Sequence, residues 1–275
     1  MSHVLIIGNG FDLNLGLKTS YRDFIGSKFF TRNLGDSSLP LFAHLEEVDK
    51  TNWIDIEKEL ESYSKSGVET YAFLLEYKKL CEELKSYIKS IELEDVDQSS
   101  HAYRLLENIS REQFLILNFN YTNSVEVILN SLGVPPYKID ESIIHVHGSV
   151  KQDDIIFGVD DDARINNEHS FLRKTSSSLY DGEQVMQALN DFERLSIFGH
   201  SLGESDHMYF KCFQNLAIGI GRQSRARNQR ESLNLYYYDE MAKYQLLSQI
   251  YTLSGRKMGQ LKDNLASFKE IDVSK

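Results

Sequence analysis

The chain has 275 residues, 41% apolar and 26% charged, enough to bury a full core as one large or two smaller domains. Its net charge of −11 repels nucleic acid and anionic membrane surfaces, so an anionic ligand must be held by local donors. Two distant cysteines, Cys81 and Cys212, exclude a disulfide framework and a Cys-x-x-Cys zinc pair. No apolar run is long enough to span a bilayer, and the N-terminus lacks a basic leader with a cleavage site, so the expectation is a cytoplasmic protein with no membrane partner.

His3–Ile7 reads as a buried first strand. It runs into Gly8-Asn9-Gly10-Phe11-Asp12, the pattern of a strand that feeds a phosphate-cradling turn and a helix N-terminus. The dinucleotide fingerprint is incomplete, because Leu13 stands where the third glycine belongs and the next glycine is Gly16. From Tyr21 to Asn108 no strand is evident. Val68, Ala72, Leu75, Leu80, Leu84, Ile88 and Ile91 recur at helical spacing and predict a long helix from about Val68 to Leu93. Shorter helices are predicted at Tyr21–Phe30 and Ile54–Tyr63, with Asn52 as a cap and Trp53 in the core. Residues 21–110 thus form a helical insertion after the first β-α step, packed on the sheet or capping a ligand cleft. Within it, Cys81 reads as a small buried hydrophobe.

Further strands are predicted at Gln113–Leu117, Ser142–Val146, Asp154–Phe157, Leu195–Phe198 and Ser232–Tyr238. Helical patterns fall at Thr122–Leu132, Glu183–Leu189, Glu204–Ile218 and Met241–Tyr251. This alternation predicts an α/β fold, a doubly wound, mostly parallel sheet in one domain over residues 1–275.

Three strand ends turn abruptly polar, at the sheet edge where ligands bind in such folds. Asn118 and Asn120 either cap the helix that follows or present a carboxamide to a ribose or water. Strand alternation puts His145 and His147 on one face. With no third ligand at a convincing spacing, no metal is expected. A histidine before Gly148-Ser149 at the sheet edge suits a general base. Gly199-His200-Ser201-Leu202-Gly203 matches the Gly-x-Ser-x-Gly elbow of serine hydrolases, yet the histidine that follows, His207, is six residues on and in the wrong chain order. The other use of this geometry is a second ligand loop, with Gly199 admitting the backbone and Ser201 bonding a ribose or phosphate. Glu204 and Asp206 read as first-turn acids that favour the helix dipole. Arg222, Arg225, Arg227 and Arg230 read as a solvated loop, and nucleic acid is not an expected partner.

In this order, Gly8-Asn9-Gly10, Asn118-Phe119-Asn120-Tyr121, His145-Val146-His147-Gly148-Ser149 and Gly199-His200-Ser201-Leu202 resemble the sirtuin-type NAD-binding core. More closely, Gly8 to Asp12, Trp53 with Glu57, and Ser201-Leu202-Gly203-Glu204-Ser205-Asp206 resemble the AbiH family of bacterial phage abortive-infection proteins. The resemblance spans Gly8 to about Phe210 and implies NAD as ligand or substrate. Gly8 and Gly10 would contact it, Asn120 would hold the nicotinamide ribose or a water, and His147 would be the base. Gly199 and Ser201 would face the adenosine side, with Asn9, Phe11, Asp12, Asn118, Gly148, Ser149 and His200 completing the site. Asp12 would stabilise developing positive charge or cap its helix. The zinc cysteines of the deacetylases are absent, as are the small residues after Gly-x-Gly and any recognisable acyl-lysine channel. Defence-type sirtuin-like domains that hydrolyse NAD are the nearer analogy. The expectation is NAD hydrolysis to nicotinamide and ADP-ribose in phage defence. A non-catalytic nucleotide sensor and a hydrolase using Ser201 are the alternatives, and a phage-derived trigger and a homo-oligomer stay open.

Overall fold

The computed structural model describes residues 3–51, 55–219 and 231–274. Its strands are β1 (His3–Ile7), β2 (Phe114–Asn118), β3 (Ile143–His145), β4 (Gly148–Ser149), β5 (Asp154–Ile155), β6 (Arg194–Phe198), β7 (Ser232–Tyr237) and β8 (Ser267–Asp272). Six of them form one parallel sheet in the order β3-β2-β1-β6-β7-β8. All five residues of β1 are buried, as a central parallel strand requires. Val4 and Ile6 join the core on one face, and Leu5 and Ile7 join the core on the other. Helices Asn9–Asn14, His101–Ile109 and Ser124–Ser131 cover the second face. Helices Gly182–Asn190, Cys212–Ile218, Glu240–Leu253 and Met258–Asn264 cover the first. The sheet is therefore doubly wound. The chain moves outward from β1 to β3, then returns to pair β6 with the other side of β1, His3 opposite Arg194 and Ile7 opposite Phe198. The loops after β1 and β6 leave this junction in opposite directions, which opens the crevice where such sheets bind ligands.

Among its described residues the insertion holds helices and no strand, with helices at Tyr21–Ile25, Lys28–Thr31, Pro40–Thr51, Ile56–Ser64 and Thr70–Lys89 before His101–Ile109. Glu69 caps the longest of these, accepting from the amides of Tyr71 and Ala72. Phe73, Leu80, Leu84 and Ile88 lie at helical spacing on its buried side, among Phe24, Phe30, Phe42 and Leu60. This separate core also takes in Val150, Phe157, Val159 and Leu172 from the chain after β3. The insertion is thereby seated beside the sheet edge. Asn52, Trp53 and the arginines 222, 225, 227 and 230 lie outside the described residues. Asp55 caps Ile56–Ser64, accepting from the Lys58 amide.

Several expectations change. Asp154–Phe157 is not a strand of the main sheet; it shortens to β5 and pairs antiparallel with β4 in a separate ribbon. The expected helix over Glu204–Ile218 divides into a 3-10 helix, Glu204–Tyr209, and an α-helix, Cys212–Ile218. β8 closes the sheet at an edge where no strand was expected. Burial raises both thiols, Cys81 and Cys212, to about 12, so neither is a thiolate at neutral pH. Among the described residues, no helix is long and apolar enough to cross a membrane.

Candidate functional site

The loops after β1 and β6 touch backbone to backbone. The Gly8 amide donates to the Phe198 carbonyl at 3.2 Å, Gly10 to Gly199 at 2.9 Å, and Phe11 to Gly8 at 2.8 Å. A Cβ on Gly10 would lie 2.7 Å from the Gly199 Cα, and one on Gly199, whose φ is +66°, would lie 2.1 Å from the Phe11 nitrogen. The glycines stand here because the two loops leave no room for side chains. The expected phosphate cradle is corrected accordingly, since these amides are spent on the protein itself. Other expected ligand residues also face away from the crevice. Phe11 is fully buried with its ring edge-on to Phe198. Asn118 is buried, and its side-chain Oδ1 accepts the Asn120 amide at 2.8 Å. Gly148 is required by the β4–β5 ribbon, where a Cβ would lie 2.5 Å from the Asp154 oxygen. Ser149 caps the turn that follows, accepting from Gln152.

The crevice is a cleft of about 1110 Å³, and Gly8, Asn9, Asp12, Asn120, His147, Gly199, His200 and Ser201 all border it. Asn120 Nδ2 donates to the Gly8 carbonyl at 3.2 Å and so joins the end of β2 to the first loop. Its centre of charge is Asp206. Lys174 Nζ lies 3.0 Å from Asp206 Oδ1 and 3.2 Å from Glu57 Oε1. His147 Nε2 lies 3.1 Å from Asp206 Oδ1, too oblique for a well-aligned hydrogen bond, and His200 Nε2 lies 3.4 Å from Oδ2. His200 Nδ1 accepts the Leu202 amide at 2.9 Å, which assigns the ring proton to Nε2, toward Asp206. The Phe119 ring stands edge-on against both imidazoles, with centroids 5.2 Å from His147 and 4.2 Å from His200.

The electrostatics follow from burial and neighbours. Burial opposes the Asp206 charge, but Lys174 and His147 outweigh it and hold the carboxyl well below its usual range. Burial also opposes the Lys174 charge, and Glu57 with Asp206 outweighs it, so the 1%-exposed ammonium stays charged. Burial lifts Glu57 to about 7, with Lys174 opposing and Asp206 adding. Burial and then Lys174 lower His147, so it is neutral at pH 7. A proton on Nε2, the ring nitrogen nearer Asp206, would leave the lone pair of a base on His147 Nδ1.

Asp12 is a second buried acid of a different kind. Thr122 Oγ1 and Ser124 Oγ donate to it at 2.6 and 2.7 Å. Burial raises it to about 6 although these hydroxyls and Asn120 pull the other way. It fastens the loop after β2 to helix Asn9–Asn14, and it is not the cap of that helix, a place held by Gly8.

His145 and His147 do not share a site. The strand ends at His145, whose Nε2 lies 2.8 Å from Glu126 Oε1, while His147 turns toward Asp206. Alternation fails because the chain leaves the sheet between them. Among the described residues, no group of three or more His, Cys, Asp or Glu is arranged to hold a metal ion. Ser201 borders the cleft, but the His207 ring nitrogen is engaged by the Leu202 carbonyl at 3.1 Å and Gln249 at 2.9 Å. The backbone strain of this turn sits at Leu202, φ +52°, rather than at the serine.

Sequence reasoning missed Lys174 outright, since no motif surrounds it. Glu57 and Asp206 fell inside stretches that carry the family resemblance, Glu57 without a role and Asp206 only as a first-turn acid. Residues 4–223 match the family described as bacteriophage abortive infection AbiH. No curated protein matches the chain.

Proposed function

Since this chain belongs to the AbiH family of bacteriophage abortive-infection proteins and serves phage defence, we propose that it acts in the cytoplasm by hydrolysing the N-glycosidic bond of NAD to nicotinamide and ADP-ribose. The observation that carries this reading is the buried His147–Asp206 pair at the crevice between β1 and β6. The reaction breaks the C1′–N bond through an oxocarbenium-like state, and its electrons return to the pyridinium ring. His147 Nδ1 takes the proton of the attacking water, and Asp206 stabilises the imidazolium that results. The carboxylates of the cleft favour the positive charge that develops on the ribose. Asn120, held against Gly8, is placed to orient the water or a ribose hydroxyl. Among the described residues, the exposed Lys58 and Arg164 are the fixed cations bordering the cleft and would meet the diphosphate. This use of the sheet edge is sirtuin-like in chemistry, with NAD as substrate and no metal in the scheme. A phage-derived trigger would control turnover in the cell, and oligomer formation is one route for it.

The test is nicotinamide release from NAD by the purified protein, with and without phage lysate. His147→Ala should lower release by about 10²–10⁴-fold, the usual contribution of a general base. Full activity in that variant overturns the mechanism. Binding of NAD with no nicotinamide released under either condition assigns the cleft to a nucleotide sensor instead.

A further inference from the structure

We propose that Glu57 is the proton donor to the departing base, so that the cleft also hydrolyses N-ribosides of neutral purine bases, which leave only when protonated. This rests on N-glycosidic hydrolysis as the reaction of the site.

The argument begins with a count of charges. One ammonium, Lys174, stands between two carboxyl groups, 3.2 Å from Glu57 and 3.0 Å from Asp206. In a buried site two carboxylates that share one cation do not both ionise cheaply, and the better-supported one keeps the charge. Asp206 has His147 and His200 within 3.4 Å in addition to Lys174. Glu57 has Lys174 and the Ser205 hydroxyl. The proton therefore resides on Glu57, in keeping with a carboxyl that burial lifts to about 7. Glu57 and His147 reach the same cleft from different parts of the fold. Glu57 comes from helix Ile56–Ser64 of the insertion, and His147 from the sheet edge after β3. An acid and a base thus flank one space, the arrangement that double proton transfer to a glycoside needs.

Nicotinamide does not use such an acid, because it leaves a pyridinium ribose already neutral. A neutral purine does use one, since the bond electrons would otherwise leave on an unstabilised anion. The lining of the cleft suits a ligand of low negative charge. Among the described residues, eight carboxyl groups border it, Asp55, Glu61, Asp160, Asp162 and Glu204 beside those already named, against the cations Lys58 and Arg164. The loop amides of Gly8, Gly10 and Phe11 are already donated to protein carbonyls.

The step balances as a hydrolysis. The C1′–N bond breaks with its electron pair on the base nitrogen, which takes the Glu57 proton. Water oxygen bonds to C1′, and its proton passes to His147 Nδ1. Free base and ribose are released, and solvent returns the proton from His147 to Glu57.

Purified protein is assayed with NAD and with inosine, measuring nicotinamide and hypoxanthine. Both should be released. Glu57→Gln should lower hypoxanthine release at least about 100-fold more than nicotinamide release, as loss of a general acid does. Should that variant fail to fold, the wild-type pH profiles decide. The groups facing Glu57 are Lys174, Asp206, Asp55, the Ser205 hydroxyl, the phenols of Tyr21, Tyr121, Tyr77 and Tyr209, whose pKa values burial holds above the usual range, and, across Asp206, His147. Loss of the Glu57 proton should depress hypoxanthine release as pH rises through about 7, a limb that nicotinamide release lacks. NAD cleavage with no inosine cleavage, or Glu57→Gln lowering both products equally, overturns the proposal. Cleavage of neither substrate removes the N-glycosidic reading itself.

Discussion

Asp12 and Asp206 are both buried at the same edge of the same sheet, yet their environments push them in opposite directions. Neutral hydroxyls from Thr122 and Ser124 hold Asp12, and burial wins, raising it to about 6. An ammonium and two imidazoles hold Asp206, and burial loses. Hydrogen bonds from neutral donors supply about half the stabilisation of charge-assisted ones, so they ease desolvation without cancelling it. The charge of the partner decides which buried acid serves as an anion and which as a structural clasp.

The sharpest way to break this contrast is to take the cation from Asp206. Lys174→Met should cost about 3–5 kcal/mol in urea unfolding, because two buried carboxyl groups lose their shared partner. A cost below about 1 kcal/mol would mean that Asp206 depends on something other than Lys174. Asp12 is tested by pH. Between pH 4 and pH 6 the unfolded chain has released the Asp12 proton while the folded chain still holds it. The unfolded state then binds fewer protons, and stability falls as pH rises. The gap between 3.8 and about 6 corresponds to about 3 kcal/mol at 1.36 kcal/mol per unit. The difference in unfolding free energy between wild type and Asp12→Asn should change by most of that amount, about 2.4 kcal/mol, from pH 4 to pH 7, and a flat difference would contradict it.

Smaller changes refine the picture. Thr122→Val removes one donor to Asp12 at nearly constant volume. It should cost about 1.5–3 kcal/mol at pH 8, where Asp12 is ionised, and less at pH 4. Equal costs at the two pH values would show that the hydroxyl serves packing alone. His145→Gln should cost about 1 kcal/mol or less and change nicotinamide release by less than about 3-fold, since that ring answers to Glu126 and not to the cleft. A large loss of release would return His145 to the site.

The sheet was legible because β1 carries the apolar run Val4–Ile7 and the chain turns polar at or just after the ends of β2, β3 and β6, signals that depend on local pattern alone. What the glycines do was not legible. A glycine that admits a ligand and one that admits another loop look the same in sequence, and only the closeness of Gly10 to Gly199 separates them. Asp206 sits among first-turn acids that favour a helix dipole, so local logic explained it without revealing Lys174 opposite. Lys174 follows Arg173 in a segment of 3-10 turns with no apolar period, and its burial is produced by groups far along the chain. His145 and His147 were misread as a pair because alternation holds only while the strand lasts. The edge strand β8 alternates weakly, with Lys269 and Glu270 in its middle, and is bounded by neither proline nor glycine.

The shared cation has a consequence for biosynthesis. Glu57 waits 117 residues for Lys174, and His3 on β1 meets Ser196 on β6 across 193. Closing spans of that length is slow compared with helix formation, so the insertion can be compact on the ribosome long before the cluster exists. A nascent chain that has not yet exposed Asp206 holds Glu57, His147 and Lys174 without the carboxylate that joins them. The charged cluster is therefore completed once, late in synthesis, when the returning half of the sheet closes on β1.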